Sequence, residues 1–197
     1  MRRIEGLAAA GFAVAFFAAI VLVNVPDQGE TRQDTIDFYN SAGEKSRVLI
    51  AVYVMAIAAL LFVAFLAALA PRLQDVPRRA AVAAGGAFVA LYLAAAAAFV
   101  APTFTLSLDP DGTNTVDERF ADFARGLSTL GDVLLLVCSM FAAAAFVAAL
   151  AWSRVLPRWL VWSGLVVAIA CLFGVTFFPL LAFALWMLAL GLATLAM

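Results

Sequence analysis

The chain has 197 residues, of which 66% are hydrophobic and 13% charged, and its mean hydropathy is +1.07. Because a soluble domain is only about 45–50% apolar, the composition predicts a polytopic membrane protein with one transmembrane domain over residues 1–197. The net charge of -1 provides no basic surplus, which argues against nucleic acid as a partner.

Six apolar runs predict six transmembrane helices in an all-α bundle, since each run is close to the roughly 20 residues that cross a bilayer. The predicted spans cover residues 7–25, 48–70, 80–103, 127–151, 159–178 and 180–197. Pro179 disfavours a continuous helix through the last two runs, so we expect a tight hairpin there, the alternative being one kinked helix. Paired in chain order, the spans form three hairpins.

The first run could also be read as a signal peptide. Its apolar stretch exceeds the usual 7–15 residues, and no A-x-A cleavage site precedes Pro26, so we expect it to be a retained helix.

The arginines predict which side of the membrane each connection faces. The start "MRR" and the short connections 71–79 and 153–158 are basic, whereas the long connections 26–47 and 104–126 are acidic. Short basic connections stay in the cytoplasm, so we expect both termini to be cytoplasmic. The alanine-rich, arginine-rich composition with a single lysine suggests a bacterial source and therefore the inner membrane.

Two outer segments have the periodicity of short amphipathic helices. In "VDERFADFARGLSTL" (116–130), one face carries Phe120, Phe123, Leu127 and Leu130, opposite acids and arginines. "DTIDFYNS" (34–41) has the same pattern, with Ile36 and Tyr39 on one side. Both segments are expected to cover the outer end of the bundle, the alternative being a ligand-binding lid.

The absence of histidine excludes several classes of site. It removes bis-histidine haem ligation, histidine zinc sites and a Ser-His-Asp triad. The single cysteines Cys138 and Cys171 fall in different apolar spans, where cysteine behaves as a small packing residue. We therefore expect no enzyme, no cofactor and no metal site.

Asp132 is the only acid inside a predicted span. A charge there costs roughly 2.5–3.5 kcal/mol on insertion scales, so it should face the bundle interior. It falls on one helical stripe with an arginine and a serine, while a tyrosine, a tryptophan and a second arginine are predicted near its depth. The candidate ligand or ion-pair site consists of Asp132, Arg125, Arg47, Tyr53, Trp186 and Ser128. It is either an outward-facing cavity or a structural ion pair.

Three segments carry a resemblance to a known group of proteins. They are "IDFYNSAGEKSR" (36–47), "LAALAPRL" (66–73) and "LPRWLVWSGLV" (156–166), the last followed by a proline-ended apolar hairpin. The chain resembles an actinobacterial family of multi-pass membrane proteins classed as a domain of unknown function. The resemblance implies the multi-pass topology and brings no activity with it.

Small residues at four-residue spacing, such as Gly11, Ala15 and Ala19, predict closely packed helices. Since nothing demands chemistry, we expect a non-enzymatic accessory or scaffold protein that binds membrane lipid, another membrane protein or a second copy of itself. The alternative is a small transporter or ligand-binding protein with an outward-facing site around Asp132.

Overall fold

The computed structural model describes residues 2–26, 29–108, 116–153, 155–173 and 177–196. These ranges are rich in alanine and leucine, which favour helix, and no strand occurs in them, which confirms the all-α prediction. The helices are α1 (Arg2–Leu22), α2 (Arg32–Asn40), α3 (Ala42–Leu69), α4 (Asp75–Ser107), α5 (Glu118–Asp132), α6 (Ser139–Trp152), α7 (Arg158–Leu172) and α8 (Phe178–Ala196). A 3-10 turn (Ala70–Arg72) follows α3, and a π-helical segment (Val133–Cys138) joins α5 to α6.

Within the described residues, five helices are long and apolar enough to cross a membrane, which supports a multi-pass membrane protein. They are Arg3–Leu22, Ala42–Arg72, Asp75–Ser107, Glu118–Trp152 and Phe178–Ala196. The sixth predicted span, 159–178, corresponds to α7, which is apolar but has only 15 residues. The first helix begins before the predicted start at residue 7, because helical hydrogen bonding continues past Glu5, where the apolar run stops.

The long helices pack side by side in chain order. Helix α1 contacts α3, α3 contacts α4, α4 contacts α6, α6 contacts α7, and α7 contacts α8. Helix α8 also packs along α1, so these neighbours form a closed ring. Short α2 lies against α5 and α3.

The two ends of the bundle differ in charge. At one end, which we call the arginine end, Glu5, Arg72, Leu156 and Thr194 line one cavity. This cavity brings together α1, the α3–α4 turn, the α6–α7 connection and α8. The opposite end, which we call the acidic end, carries α2 and the start of α5, including the exposed Glu118.

An aromatic cluster fills the middle of the ring. Phe12 lies with its ring centroid 5.0 Å from Phe62, 6.0 Å from Phe88 and 5.9 Å from Phe183. The cluster comprises eight fully buried rings from five helices: Phe12, Phe16, Phe62, Phe65, Phe88, Tyr92, Phe146 and Phe183. Tilted and edge-to-face pairs of this kind favour association beyond the area that they bury.

Helices α1 and α8 approach each other most closely at glycine. A Cβ atom added to Gly191 would lie 2.7 Å from the backbone nitrogen of Ala10 and 2.8 Å from the carbonyl oxygen of Gly6. Gly11, which was predicted to pack closely, lies against α3, since a Cβ atom added to it would lie 3.3 Å from the Leu61 side chain. Gly6 and Gly191 therefore permit the close contact between α1 and α8 that closes the ring of helices.

We predict that Gly191→Ala lowers the free energy of unfolding by about 1–3 kcal/mol, because its Cβ would push two helix backbones apart. Gly86→Ala is the matched control, since a Cβ atom added at this position in α4 would meet nothing within 4 Å. The measurement is unfolding in detergent followed by tryptophan fluorescence. Equal stabilities of the two variants would contradict a close α1–α8 contact.

Candidate functional site

Asp132 is the last residue of α5 and lies directly before the π-helical segment Val133–Cys138. The N–H of Ser139 donates to the carbonyl of Leu134, five residues back, and its hydroxyl donates to the carbonyl of Leu135 at 2.5 Å. Single-turn π segments are rare and frequently occur at functional sites. The helix thus changes its geometry immediately after its acid.

A cavity of about 160 Å³ lies beside Asp132, between α1, α3, α4 and α8. We call it the Asp132 cavity. Its polar side chains are Asp132 and Tyr92, and Phe99, Phe177 and Met55 contribute aromatic and thioether surface. The remaining wall is aliphatic and consists of Ala19, Ile20, Val23, Leu135, Leu136 and Leu180.

The two polar groups of the Asp132 cavity have different surroundings. Asp132 is partly buried, whereas Tyr92 is fully buried against the rings of Phe16 and Phe88. The Tyr92 hydroxyl has no hydrogen-bond partner among the described residues. Because an unsatisfied buried hydroxyl costs about 1–3 kcal/mol, a polar ligand that reaches it is stabilised by more than its apolar contacts.

Two of the predicted site residues lie away from this cavity. Tyr53 is 70% exposed on the outside of α3. Successive residues turn by about 100° around a helix, so Met55 points inward and Tyr53, two positions earlier, points to the other side. Trp186 is buried, but its Nε1 donates to the carbonyl of Leu160 at 3.2 Å, and its ring packs on Gly164.

The other predicted residues lie near the acidic end of the bundle. Arg47 donates to the carbonyl of Val21 at 3.4 Å and pairs with Glu44 at 3.6 Å. Ser128 is buried, with no partner for its hydroxyl among the described residues, and Arg125 is partly exposed.

The structure instead brings Asp132 together with Tyr92, a residue that was not predicted to belong to the site. Tyr92 could have been found from its position in α4, because it is a polar residue on the same helical stripe as the buried Gly85 and Phe88.

Helix α2 is fastened across α5 at the acidic end. Two nitrogens of Arg32 each donate to Asp122 at 2.9 Å, and Glu118 lies 3.5 Å from the same guanidinium. This pairing raises the pKa of Arg32. Beneath it, Tyr39 packs edge-on against Phe120, and burial raises the pKa of Tyr39 to about 12. Both predicted amphipathic segments are thus helical and held together.

The α2 helix begins with a capping box. The Thr31 hydroxyl accepts from the backbone N–H of Asp34, and the Asp34 carboxylate accepts from the backbone N–H of Thr31. Hydrogen bonds from Thr31 lower the pKa of Asp34. The start of the covering helix is therefore defined by its own sequence.

A second polar cavity lies at the arginine end and was missed by the sequence analysis. Glu5 is only 1% exposed, and its Oε2 lies 2.7 Å from Nη1 of Arg72. The guanidinium N–H is not aligned on that oxygen, and neither carboxylate oxygen accepts a regular hydrogen bond from a described residue. The sequence does contain an indication that Glu5 is buried, because its spacing places it on the same helical face as three apolar residues that are buried in α1, namely Ala9, Phe12 and Phe16.

Gly131 sets the distance between Asp132 and α4, and we predict that Gly131→Ala disturbs the cavity. The added Cβ would lie 2.5–2.9 Å from ring atoms of the buried Phe99, so the free energy of unfolding should fall by about 1–3 kcal/mol. Gly126→Ala in the same helix meets nothing within 4 Å and should be at least as stable as the natural protein. Chemical denaturation of both variants in detergent tests this, and a Gly131→Ala protein of natural stability would contradict the contact.

Comparisons with known proteins add no relative. No family model matches the chain, and no curated protein or solved structure is detectably similar to it. The resemblance to the actinobacterial family stays a prediction. Among the described residues, no group of three or more carboxylates and thiols is placed to hold a metal ion.

Proposed function

We propose that this chain is a non-enzymatic integral membrane protein that binds a small organic ammonium ion in the Asp132 cavity. The observation that carries the proposal is one small cavity that combines a carboxylate, the buried hydroxyl of Tyr92 and aromatic side chains. This is the alternative that the sequence left open around Asp132, now with different partners.

Each part of the cavity suits an ammonium ion. The carboxylate of Asp132 supplies the opposite charge in surroundings of low dielectric constant, where that attraction is strong. The Tyr92 oxygen can accept a hydrogen bond from an N–H group. Tyr92, Phe99 and Phe177 contribute aromatic rings, a type of group whose face attracts cations. A water-sized group occupies about 30 Å³, so the cavity volume of about 160 Å³ suits a ligand of about five heavy atoms.

A second candidate is the accessory role favoured by the sequence. It is supported by an apolar groove of about 380 Å³ between α1 and α8, whose large side chains include Phe17 and Leu185. In this role the groove takes a lipid acyl chain or an apolar helix of another membrane protein or a second copy. A carboxylate in a separate cavity has no part in it, so substitution of Asp132 distinguishes the two roles.

We further propose that the protein crosses the bacterial inner membrane six times, as three hairpins with cytoplasmic termini. Helix α7 supplies the sixth crossing. The path of the chain supports this crossing. Leu156, just before α7, lines the cavity at the arginine end, whereas Phe177, just after α7, lines the Asp132 cavity near the other end. At about 22 Å, α7 is shorter than the hydrocarbon layer, and local thinning of the bilayer compensates for the difference. The positive-inside rule makes the arginine end cytoplasmic.

Cysteine labelling tests this topology. In a background without Cys138 and Cys171, a cysteine introduced by Phe177→Cys should react with an impermeant maleimide on intact cells. One introduced by Arg158→Cys should react only after the membrane is opened. Arg158 is the first residue of α7 and Phe177 follows its last residue, Leu172, so labelling of both from the same side would rule out the sixth crossing.

Binding is tested by calorimetry of the purified protein with ethylammonium and tetramethylammonium. Asp132→Asn should weaken both ligands by about tenfold or more, because the loss of a charged partner is worth at least about 1.4 kcal/mol. Tyr92→Phe should weaken only ethylammonium, by about fivefold, since tetramethylammonium has no N–H to donate. The ligand-free Tyr92→Phe protein should be at least as stable as the natural one, because its buried hydroxyl lacks a partner among the described residues.

The matched control is Asp37→Asn, which removes an exposed acid at the same end of the bundle and should leave both affinities unchanged. If Asp132→Asn binds both ammonium ions as tightly as the natural protein, the proposed site is wrong.

A further inference from the structure

The second cavity, at the arginine end, is not explained by ligand binding at Asp132. It has a volume of about 270 Å³, and we call it the Glu5 cavity. Glu5 and Arg72 are its charged members, and Thr194 contributes a hydroxyl. Phe65, Leu69 and Leu190 form part of the remaining wall. Like the Asp132 cavity, it thus contains one carboxylate in mostly apolar surroundings.

The ion pair in the Glu5 cavity is unequal in exposure. The Glu5 side chain is 1% exposed, while that of Arg72 is 32% exposed and lies on the short 3-10 turn Ala70–Arg72. A buried carboxylate requires a positive partner. Arginine has a long flexible stem, so its guanidinium can leave for solvent if another cation replaces it. Arg72 is therefore the member of the pair that has access to solvent.

The same helices line both cavities. Helix α1 contributes Ala19 to the Asp132 cavity and Glu5 to the other, and α8 contributes Leu180 and Thr194 respectively. The aromatic cluster around Phe12 lies between these two levels of α1. The two polar cavities thus lie at opposite ends of one ring of helices, with the aromatic cluster packed between them.

We propose that the Glu5 cavity is the second station of a transport route for the ammonium ion that binds at Asp132. This inference rests on the proposed function. The ion takes the place of Arg72 at Glu5 while the guanidinium moves into solvent, the ion then leaves at the arginine end, and Arg72 afterwards pairs with Glu5 again. Arg72 is thus a positioning residue, and Glu5 contacts the ion.

Uptake of radiolabelled tetramethylammonium into proteoliposomes tests the route, because this cation has no neutral form that could cross the bilayer unaided. The natural protein should take it up at least tenfold faster than empty liposomes. Glu5→Gln should abolish the uptake, as should Asp132→Asn. Arg72→Gln should retain it, since the carboxylate remains, whereas a purely structural ion pair would make the Glu5 and Arg72 substitutions equally harmful.

The double variant Glu5→Gln/Arg72→Gln protects the test against misfolding, because it leaves neither charge unpaired. It should melt close to the natural protein and show no uptake. Asp75→Asn is the control, since it removes an exposed acid at the same end and should transport at the natural rate.

The outcomes separate this inference from the proposed function. A natural protein that binds tetramethylammonium but shows no uptake above empty liposomes overturns the transport route and leaves the binding site standing. Uptake at the natural rate by the double variant overturns the role of Glu5. Failure of the natural protein to bind either ammonium ion refutes the proposed function itself.

Discussion

The packing of Phe12 against the rings of Phe62, Phe88 and Phe183 is the contact on which the rest of the structure depends. It joins α1, α3, α4 and α8 at the middle of the bundle. In a bilayer, apolar surface gains little by leaving lipid, so helices associate through close packing instead. Rings that interlock at angles supply that packing. In the part of the chain that the structure describes, they also fill the centre of the ring of helices, and the two polar cavities lie towards its two ends.

The sequence predicted depth along the helices better than rotation around them. Hydropathy and helical spacing located the long helices and put Asp132 inside one of them, because both properties depend on position along the chain. Rotation is set by the neighbouring helices. In α3, the residues on the buried and exposed sides are alike in polarity, so Met55 and Tyr53 could not be assigned to sides. For the same reason, the sequence did not reveal the position of Tyr92 or the hydrogen bond from Trp186 to Leu160.

Glu5 was missed for a different reason. An apolar run ends at its first charge, and the predicted span therefore began after Glu5. The helix does not end there, because the backbone hydrogen bonds of an α-helix form whether the side chain is charged or apolar. Arg72, which partners Glu5, lies in a connection that looks purely cytoplasmic in the sequence. Two charges from segments predicted to lie outside the bilayer thus meet in a cavity of the bundle, a pairing that only tertiary structure reveals.

In the proposed transport route, the aromatic cluster lies between the two carboxylates. The face of an aromatic ring carries a partial negative charge, so it attracts cations and repels anions. Between Asp132 and Glu5 the described core is built from such rings and from aliphatic side chains. On the proposed route, an organic cation is favoured and an anion is disfavoured wherever a ring presents its face to the ion. The proposed route therefore assigns the same charge preference to the two acids and to the faces of the rings that lie between them.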